Sequence, residues 1–254
     1  MRPSFSIAAA VLGGLTVLGA PGLVVADDDN DHLRAVPFVF IGKTGDCGTL
    51  QSGAPYPAGS RIVTSAWLGG MGLPDNGGAN TTVADFATNP NKRDPHLGLL
   101  LSKNGPSADC SAAGAEIKGV RGMEVGATFV LGFDYRNGGH CGGGAPRFDV
   151  SYTLPGGGEA SSFVGNCALD TPTPAPQDPT EWTRLRFAAP AQFPPIPPGS
   201  RIRSISIIFD EGTEVPGVED PRGVGLAVID NIFIDGSTIT DGHGIADGIR
   251  RDDK

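Results

Sequence analysis

The sequence predicts an all-β fold in which two antiparallel sheets pack together, and three observations predict it. The 254 residues include 39 glycines and 22 prolines, which leave no room for long helices. No window of about a dozen residues keeps a helical period of 3.6. Short segments that alternate apolar and polar residues recur along the chain, as they do in strands with one buried and one wet face.

Ten segments have this strand-like pattern. In the fifth, ATFVLGFDYR, Phe133 and Tyr135 share the apolar face, and Asp134 and Arg136 lie on the other. So many strands in one chain favour two packed sheets over a single open sheet. The predicted strands are 37–41, 61–68, 97–102, 115–120, 127–136, 147–154, 161–165, 182–187, 201–210 and 225–235.

The two ends of the chain differ from the part between them. Residues 1–26 carry one arginine, then an apolar run, and then small residues at a cleavage site, Val24-Val25-Ala26. This is the pattern of a cleaved export signal. We therefore predict a secreted, extracellular protein. Residues 27–236 have a length typical of one β-sandwich domain. Residues 237–254 have few apolar side chains and predict a flexible polar tail.

The charge balance excludes some classes of partner. With 19 basic and 28 acidic residues, the formal net charge is −9. An acidic surface disfavours nucleic acid and anionic membranes, whose phosphates attract lysine and arginine. After residue 26 no apolar run is long enough to span a bilayer. The sequence therefore predicts neither a nucleic-acid partner nor a membrane span in the mature chain.

The four cysteines, Cys47, Cys110, Cys141 and Cys167, predict two disulfides, because an even count in an exported chain favours bridges over free thiols. Four cysteines allow three pairings. Their order along the chain favours Cys47–Cys110 with Cys141–Cys167.

The order of strands in the second half resembles a known family. FVLGFDYR, a glycine turn, RFDVSYTL, WTRLRF, RIRSISIIFD and GLAVIDNIFID follow one another over roughly residues 115 to 236. This order resembles the galactose-binding-like jelly-roll domains, found as carbohydrate-binding modules and in many secreted bacterial proteins. The resemblance implies a jelly-roll sandwich, and the four cysteines predict that disulfides staple it. The resemblance also implies sugar binding on aromatic platforms and, in some members, a structural calcium ion.

The wet faces of three strands supply candidate ligand-binding residues. If segments 127–136 and 147–154 pair across the glycine turn, their polar side chains lie together, and a strand beginning at Trp182 extends the patch. Hydrogen-bonding side chains on a sheet suit sugar hydroxyls. The alternative is cross-strand ion pairing that only stabilises the sheet. The candidates are Asp134, Arg136, Arg147, Asp149, Trp182 and Arg184.

Acidic residues near the last two long strands supply candidate metal ligands. Calcium takes about six to eight oxygen ligands, and carboxylates are common among them. The spacing is not that of an EF-hand loop, and a solvated acidic loop is the alternative. The candidates for a structural Ca²⁺ are Asp210, Glu211, Asp220, Asp230 and Asp235.

The dipeptide His140-Cys141 lies in a glycine run and permits three interpretations. A zinc site needs several Cys or His ligands at useful spacing, and the chain has no CxxC or HxxxH. A catalytic thiol needs a partner base. The third interpretation is structural: Cys141 precedes a strand and Cys167 follows another, so a bridge closes the base of a hairpin. We favour the disulfide.

Motifs for catalysis are missing from the sequence: it has no GxSxG, HExxH, P-loop or dinucleotide fingerprint. We therefore expect a secreted, non-catalytic module that binds a polysaccharide or cell-surface glycan, with no required cofactor. One alternative is a secreted glycoside hydrolase that uses two carboxylates, for which Asp134 and Asp149 are the pair to test. The other is a structural or surface protein with no small ligand.

Overall fold

The computed structural model describes residues 32–50, 52–59, 62–74, 96–104, 109–168, 170–211 and 225–247. Within these ranges the chain forms strands and one short 3-10 helix, Ala189–Ala191. No helix in the described ranges is long and apolar enough to cross a bilayer. The strands are β1 (Arg34–Phe40), β2 (Val63–Gly69), β3 (Leu97–Lys103), β4 (Ala112–Lys118), β5 (Val130–Arg136), β6 (Arg147–Thr153), β7 (Glu159–Val164), β8 (Thr173–Pro174), β9 (Trp182–Ala188), β10 (Arg201–Phe209), β11 (Leu226–Ile234), β12 (Ser237–Ile239) and β13 (Ile245–Asp247).

The strands form two sheets. The smaller sheet has five strands in the order β1-β4-β10-β6-β7. The larger sheet has eight, in the order β13-β2-β3-β11-β5-β9-β8, with β12 beside β11. Neighbouring strands are antiparallel throughout. The predicted two-sheet antiparallel sandwich is confirmed, and the arrangement is compatible with a jelly roll.

The core lies between the sheets and is built by the alternation seen in the sequence. Phe133 of β5 and Phe148 of β6 meet across the gap with their ring centroids 5.8 Å apart, and Phe187 of β9 packs against Phe133 at the same distance. All three rings are buried. Because successive side chains on a strand point to opposite faces, their polar neighbours point away from the core.

Hydrogen bonds also join the sheets. The indole Nε1–H of Trp67 on β2 donates to the carbonyl of Ala35 on β1 at 2.9 Å, and the Ser65 hydroxyl donates to the carbonyl of Gly114 on β4 at 2.7 Å. Both side chains are buried, so each polar group has the partner that burial demands. These bonds fix β1 and β4 over β2.

Both predicted disulfides, Cys47–Cys110 and Cys141–Cys167, are present. Cys141 precedes β6 and Cys167 follows β7, and these strands pair from Phe148–Val164 to Thr153–Glu159. The second bridge therefore closes the base of the β6–β7 hairpin, as the sequence predicts. A bridge of this kind typically contributes about 2–4 kcal/mol to stability.

The predicted pairing of segments 127–136 and 147–154 is wrong. β5 lies in the larger sheet between β9 and β11, whereas β6 lies in the smaller sheet between β10 and β7. Both edges of each strand are already hydrogen-bonded to those neighbours, so neither strand is left to pair with the other. The glycine-rich connection crosses from one sheet to the other.

The predicted flexible tail is also wrong for residues 237–247. Ser237–Ile239 pairs with β11, and Ile245–Asp247 pairs with β2 along the edge of the larger sheet. Ile239 is buried there. Gly242 lies directly against the Trp67 indole, with no room for a side chain between them. Residues 248–254 and the predicted export signal at 1–26 lie outside the described residues.

Candidate functional site

The outer face of the smaller sheet carries polar side chains along its β6–β7 edge. Phe148, Val150 and Tyr152 of β6 point into the core, so the residues between them face outward. In the register of β6 and β7, Asp149 is opposite Phe163. An aromatic ring therefore lies beside a carboxylate on an exposed sheet surface.

Phe163 forms an exposed aromatic platform at this edge. The residue is 58% exposed, and the Arg147 guanidinium lies over the ring, 5.1 Å from the centroid. Arg147 donates to both carboxylate oxygens of Asp210 at 2.8 and 2.9 Å, to Asp149 at 3.1 Å and to the Gly144 carbonyl at 2.8 Å. These bonds hold the guanidinium in place over the ring.

Burial and charge act together on this cluster. Burial by itself lowers the pKa of Arg147, but the hydrogen bonds and negative charges of Asp210 and Asp149 outweigh it and raise the pKa. Burial also raises the pKa of Asp149, against the lowering effect of Arg147. Arg147 therefore remains a cation and serves as the anchor for both carboxylates.

A groove of about 560 Å³ opens beside the platform. Phe193, a residue that is 93% exposed, lies on its wall. The Gln192 carbonyl oxygen accepts the Gly165 N–H at 3.2 Å, and that of Asn166 accepts the Ala168 N–H at 3.0 Å. Among the described residues, neither amide NH₂ group has a hydrogen-bond partner. We call this site the aromatic groove; its lining includes Arg147, Phe163, Asn166, Gln192 and Phe193.

The remaining predicted ligand residues, Asp134, Arg136, Trp182 and Arg184, lie on the larger sheet. Phe133 and Phe148 face each other across the core, so Asp134 and Asp149 point away from it on opposite sides of the sandwich. The predicted ligand patch is therefore split into two separate groups. For the same reason, Asp134 and Asp149 cannot act together on one glycosidic bond.

Asp134 is buried, not solvent-exposed as its alternation predicts. Arg184 donates to both of its carboxylate oxygens at 2.8 Å, Arg186 donates to one at 3.2 Å, and the Asn231 amide to the other at 2.8 Å. The hydrogen bond to Asp134 raises the pKa of Arg184, whereas burial lowers the pKa of Arg186. This cluster matches the alternative interpretation, a cross-strand ion pair that stabilises the sheet.

Arg136 and Trp182 are opposite each other in the register of β5 and β9, at the end of this ion-paired cluster. Trp182 is fully buried against Leu73, Ala175 and Val228, in a second small apolar cluster on the outer face of the larger sheet. A buried indole offers no platform for a sugar ring.

The four predicted metal ligands that the structure describes are not brought together. Asp210 binds Arg147, and Glu211 is hydrogen-bonded to His140. Asp230 lies on the larger sheet, and Asp235 is in the turn after β11. Asp220 lies outside the described residues. In the parts of the chain that the structure describes, no group of three His, Cys, Asp or Glu residues is arranged to hold a metal ion.

His140-Cys141 forms a structural turn. The His140 ring is buried, its Nε2 is hydrogen-bonded to the Glu211 carboxylate, and it packs edge-on against Phe209 with the centroids 5.6 Å apart. A side chain at Gly144 would bring its Cβ within 2.5 Å of a Glu211 oxygen. The glycine run therefore passes close to the Glu211 carboxylate, which would have to move to accommodate a side chain at Gly144.

Asp230 is a buried carboxyl group beside Asp134, and the two residues are opposite each other in the register of β11 and β5. It accepts the Leu73 N–H at 2.8 Å and the Asn231 N–H at 2.6 Å. Burial raises the pKa of Asp230 from 3.8 to about 7; these two hydrogen bonds oppose the rise, and the negative charges of Asp134 and Asp241 add to it.

We expect Asp230 to make stability depend on pH. Because its folded pKa is the higher one, its contribution to stability is full below pH 3.8 and is lost as the pH rises through about 7. The difference of about three units corresponds to about 4 kcal/mol. Between pH 5 and pH 8, Asp230→Asn should therefore lose less unfolding free energy in urea than the wild type does. Parallel pH profiles for the two proteins would contradict this assignment.

Sequence reasoning missed Phe163, Phe193, Asn166 and Gln192. A signal was present for the two aromatic residues. Phe163 is followed by Val164, and adjacent residues of a strand point to opposite faces, so one of the two must face outward. Phe193 lies in a proline-rich loop, QFPPIPP, and a side chain in such a loop is often exposed because loops run over the protein surface. Nothing local marks the two amides, because the fold brings them together.

Comparison with protein families, with curated proteins and with solved structures finds no match for this chain. The resemblance to galactose-binding-like domains therefore stays a prediction. The chain is placed by its architecture alone: a two-sheet antiparallel sandwich with two disulfides.

Proposed function

We propose that this protein is an exported, non-catalytic carbohydrate-binding module of the galactose-binding-like type, and that a glycan binds in the aromatic groove. One observation carries the proposal: the exposed Phe163 ring, held under Arg147, faces a groove that contains a second exposed ring, Phe193. Aromatic faces provide apolar contact area, and a few oriented polar groups provide specificity. The apolar C–H face of a sugar ring can pack on the two aromatic rings. The hydroxyl groups of the sugar can form hydrogen bonds with Asn166 and Gln192.

Two further features support the proposal. Both disulfides are typical of proteins that fold in an oxidising compartment, which agrees with export. Asp149 and Asp210, the carboxylates that bind Arg147 beside the groove, are both committed to that ion pair. Carboxylates held in this way suit ligand positioning better than proton transfer.

We expect Phe163→Ala and Phe193→Ala each to weaken glycan binding about ten-fold or more, because exposed aromatic anchors dominate binding energy. Stability should change little, since surface substitutions usually shift it by about 0.5 kcal/mol and the lost cation–π contact adds about as much. The measurement is retention on a glycan array, followed by calorimetric titration of the best ligand.

Phe40→Ala is the matched control. Phe40 is also exposed on the smaller sheet, but on β1, the edge strand farthest from β7. The Phe40→Ala variant should bind glycan as the wild type does. If Phe163→Ala and Phe193→Ala bind as well as Phe40→Ala does, the aromatic groove is not the site. If the wild type binds no glycan, the protein is not a carbohydrate-binding module.

A further inference from the structure

A second concavity, of about 440 Å³, adjoins the aromatic groove on the same sheet face. We call it the serine hollow; it is lined by Arg121, Ser151, Glu159, Ser161, Arg203 and Ser204. Ser151 of β6 is opposite both Ser204 of β10 and Ser161 of β7, so three hydroxyls form one row across three strands.

The row of serines is continuous with the aromatic groove. Along β6 and β7, Ser151 and Ser161 lie two residues from Asp149 and Phe163. Two residues of a strand span about 6.8 Å. One extended polymer lying over this edge of the sheet therefore reaches both the groove and the hollow.

The hollow offers hydrogen-bond donors. Among the described residues, none of the three serine hydroxyls has a hydrogen-bond partner. Each hydroxyl can donate to an oxygen of a ligand. Three donors in a row across the sheet are arranged for an acceptor that carries several oxygens.

The charge of the hollow is opposite to that of the whole chain. Arg203 is ion-paired with Glu159 across the exposed surface. Arg121 is exposed and has no ion pair with any described residue. Two cations against one anion leave a local excess of positive charge, in a protein with 19 basic and 28 acidic residues. Arginine recognises carboxylates and other oxyanions through paired N–H donors.

We propose that the serine hollow binds an anionic group, a carboxylate or a sulfate, on a sugar unit of the same glycan that occupies the aromatic groove. This inference rests on the proposed function and narrows its ligand class to acidic polysaccharides. The Arg121 guanidinium pairs with the anion, the serine hydroxyls donate to its oxygens, and Phe163 stacks on a neighbouring sugar ring.

The test compares acidic polymers with neutral polymers of the same backbone. The pairs are polygalacturonate with its methyl ester and galactan sulfate with galactan, at low and high salt. We expect the wild type to prefer at least one acidic polymer about five- to ten-fold. High salt should remove this preference, because the pairing is close to the surface and is screened. The pair that shows it identifies the anion as carboxylate or sulfate.

Arg121→Gln should abolish the preference, lowering binding of the acidic polymer to the level of the neutral one. Arg34→Gln is the matched control, because Arg34 is an exposed arginine on β1 at the other edge of the same sheet. Equal binding of acidic and neutral polymers, or equal effects of the two variants, overturns this inference and leaves glycan binding in place. If neither member of either pair binds, and the glycan array is also negative, both proposals fail.

Discussion

Lys103→Met is expected to lower the free energy of unfolding by about 3–5 kcal/mol, the cost of removing one member of a buried ion pair. The Lys103 side chain is fully buried, and its ammonium group donates to the backbone carbonyls of Asp109 and Asp210 at 2.9 and 2.8 Å. It also lies 3.2 Å from the Asp109 carboxylate, which is equally buried. Methionine fills similar space but donates nothing, so two carbonyls and a carboxylate lose a donor.

Urea unfolding of the purified variants measures this effect. Lys118→Met is the matched control, because Lys118 forms a surface ion pair with Glu116 and such pairs contribute about 0–1 kcal/mol. Adding Asp109→Asn to Lys103→Met should recover much of the loss, because it removes the buried charge that Lys103 offsets and keeps an acceptor for the Ser111 N–H. A loss below about 1 kcal/mol for Lys103→Met would show that this ion pair is not important for the fold.

Asp134→Asn is expected to cost about 3 kcal/mol of stability, because a buried carboxylate then no longer compensates two arginines. The amide keeps the shape of the side chain, but its NH₂ group faces donors of Arg184, Arg186 or Asn231. The cost is at the low end of the range for buried pairs, because both guanidinium groups are partly exposed and can bind water. Thermal and urea unfolding measure it.

Glu124→Gln is the control for this exchange of carboxylate for amide. Glu124 pairs with Arg201 at the surface, and the same chemical change there should cost less than about 1 kcal/mol. Glycan binding should be retained by folded Asp134→Asn, since Asp134 and the aromatic groove lie on opposite outer faces of the sandwich. If Asp134→Asn lost glycan binding but kept its stability, Asp134 would have to be part of the ligand site.

The sequence was sufficient to predict the strands but not their partners. Each of the ten predicted strands is present, with bounds that differ by about three residues at most. Alternation reports which side chains face the core, because packing demands a continuous apolar face. β5 and β6 have the same pattern, however, and nothing in that pattern tells which sheet a strand joins.

The exposure of polar residues was harder to predict for a related reason. Asp134 and Asp149 both alternate with core residues. Asp134 is nevertheless covered, because the next strand, β9, places Arg184 and Arg186 over it and β11 adds Asn231. Asp149 is near the edge strand β7 and stays partly open. Burial of an outward-facing residue depends on its neighbours in the sheet, which the local sequence does not determine.

The two tryptophans give this fold a pair of built-in optical probes at different depths. Trp67 lies at the junction of the two sheets, bonded to Ala35, and Trp182 lies in the small apolar cluster on the outside of the larger sheet. Both indoles are shielded from water. A variant that keeps only Trp67 therefore reports on the junction between the sheets, and a variant that keeps only Trp182 reports on the outer apolar cluster, so each region can be followed during unfolding without an added dye.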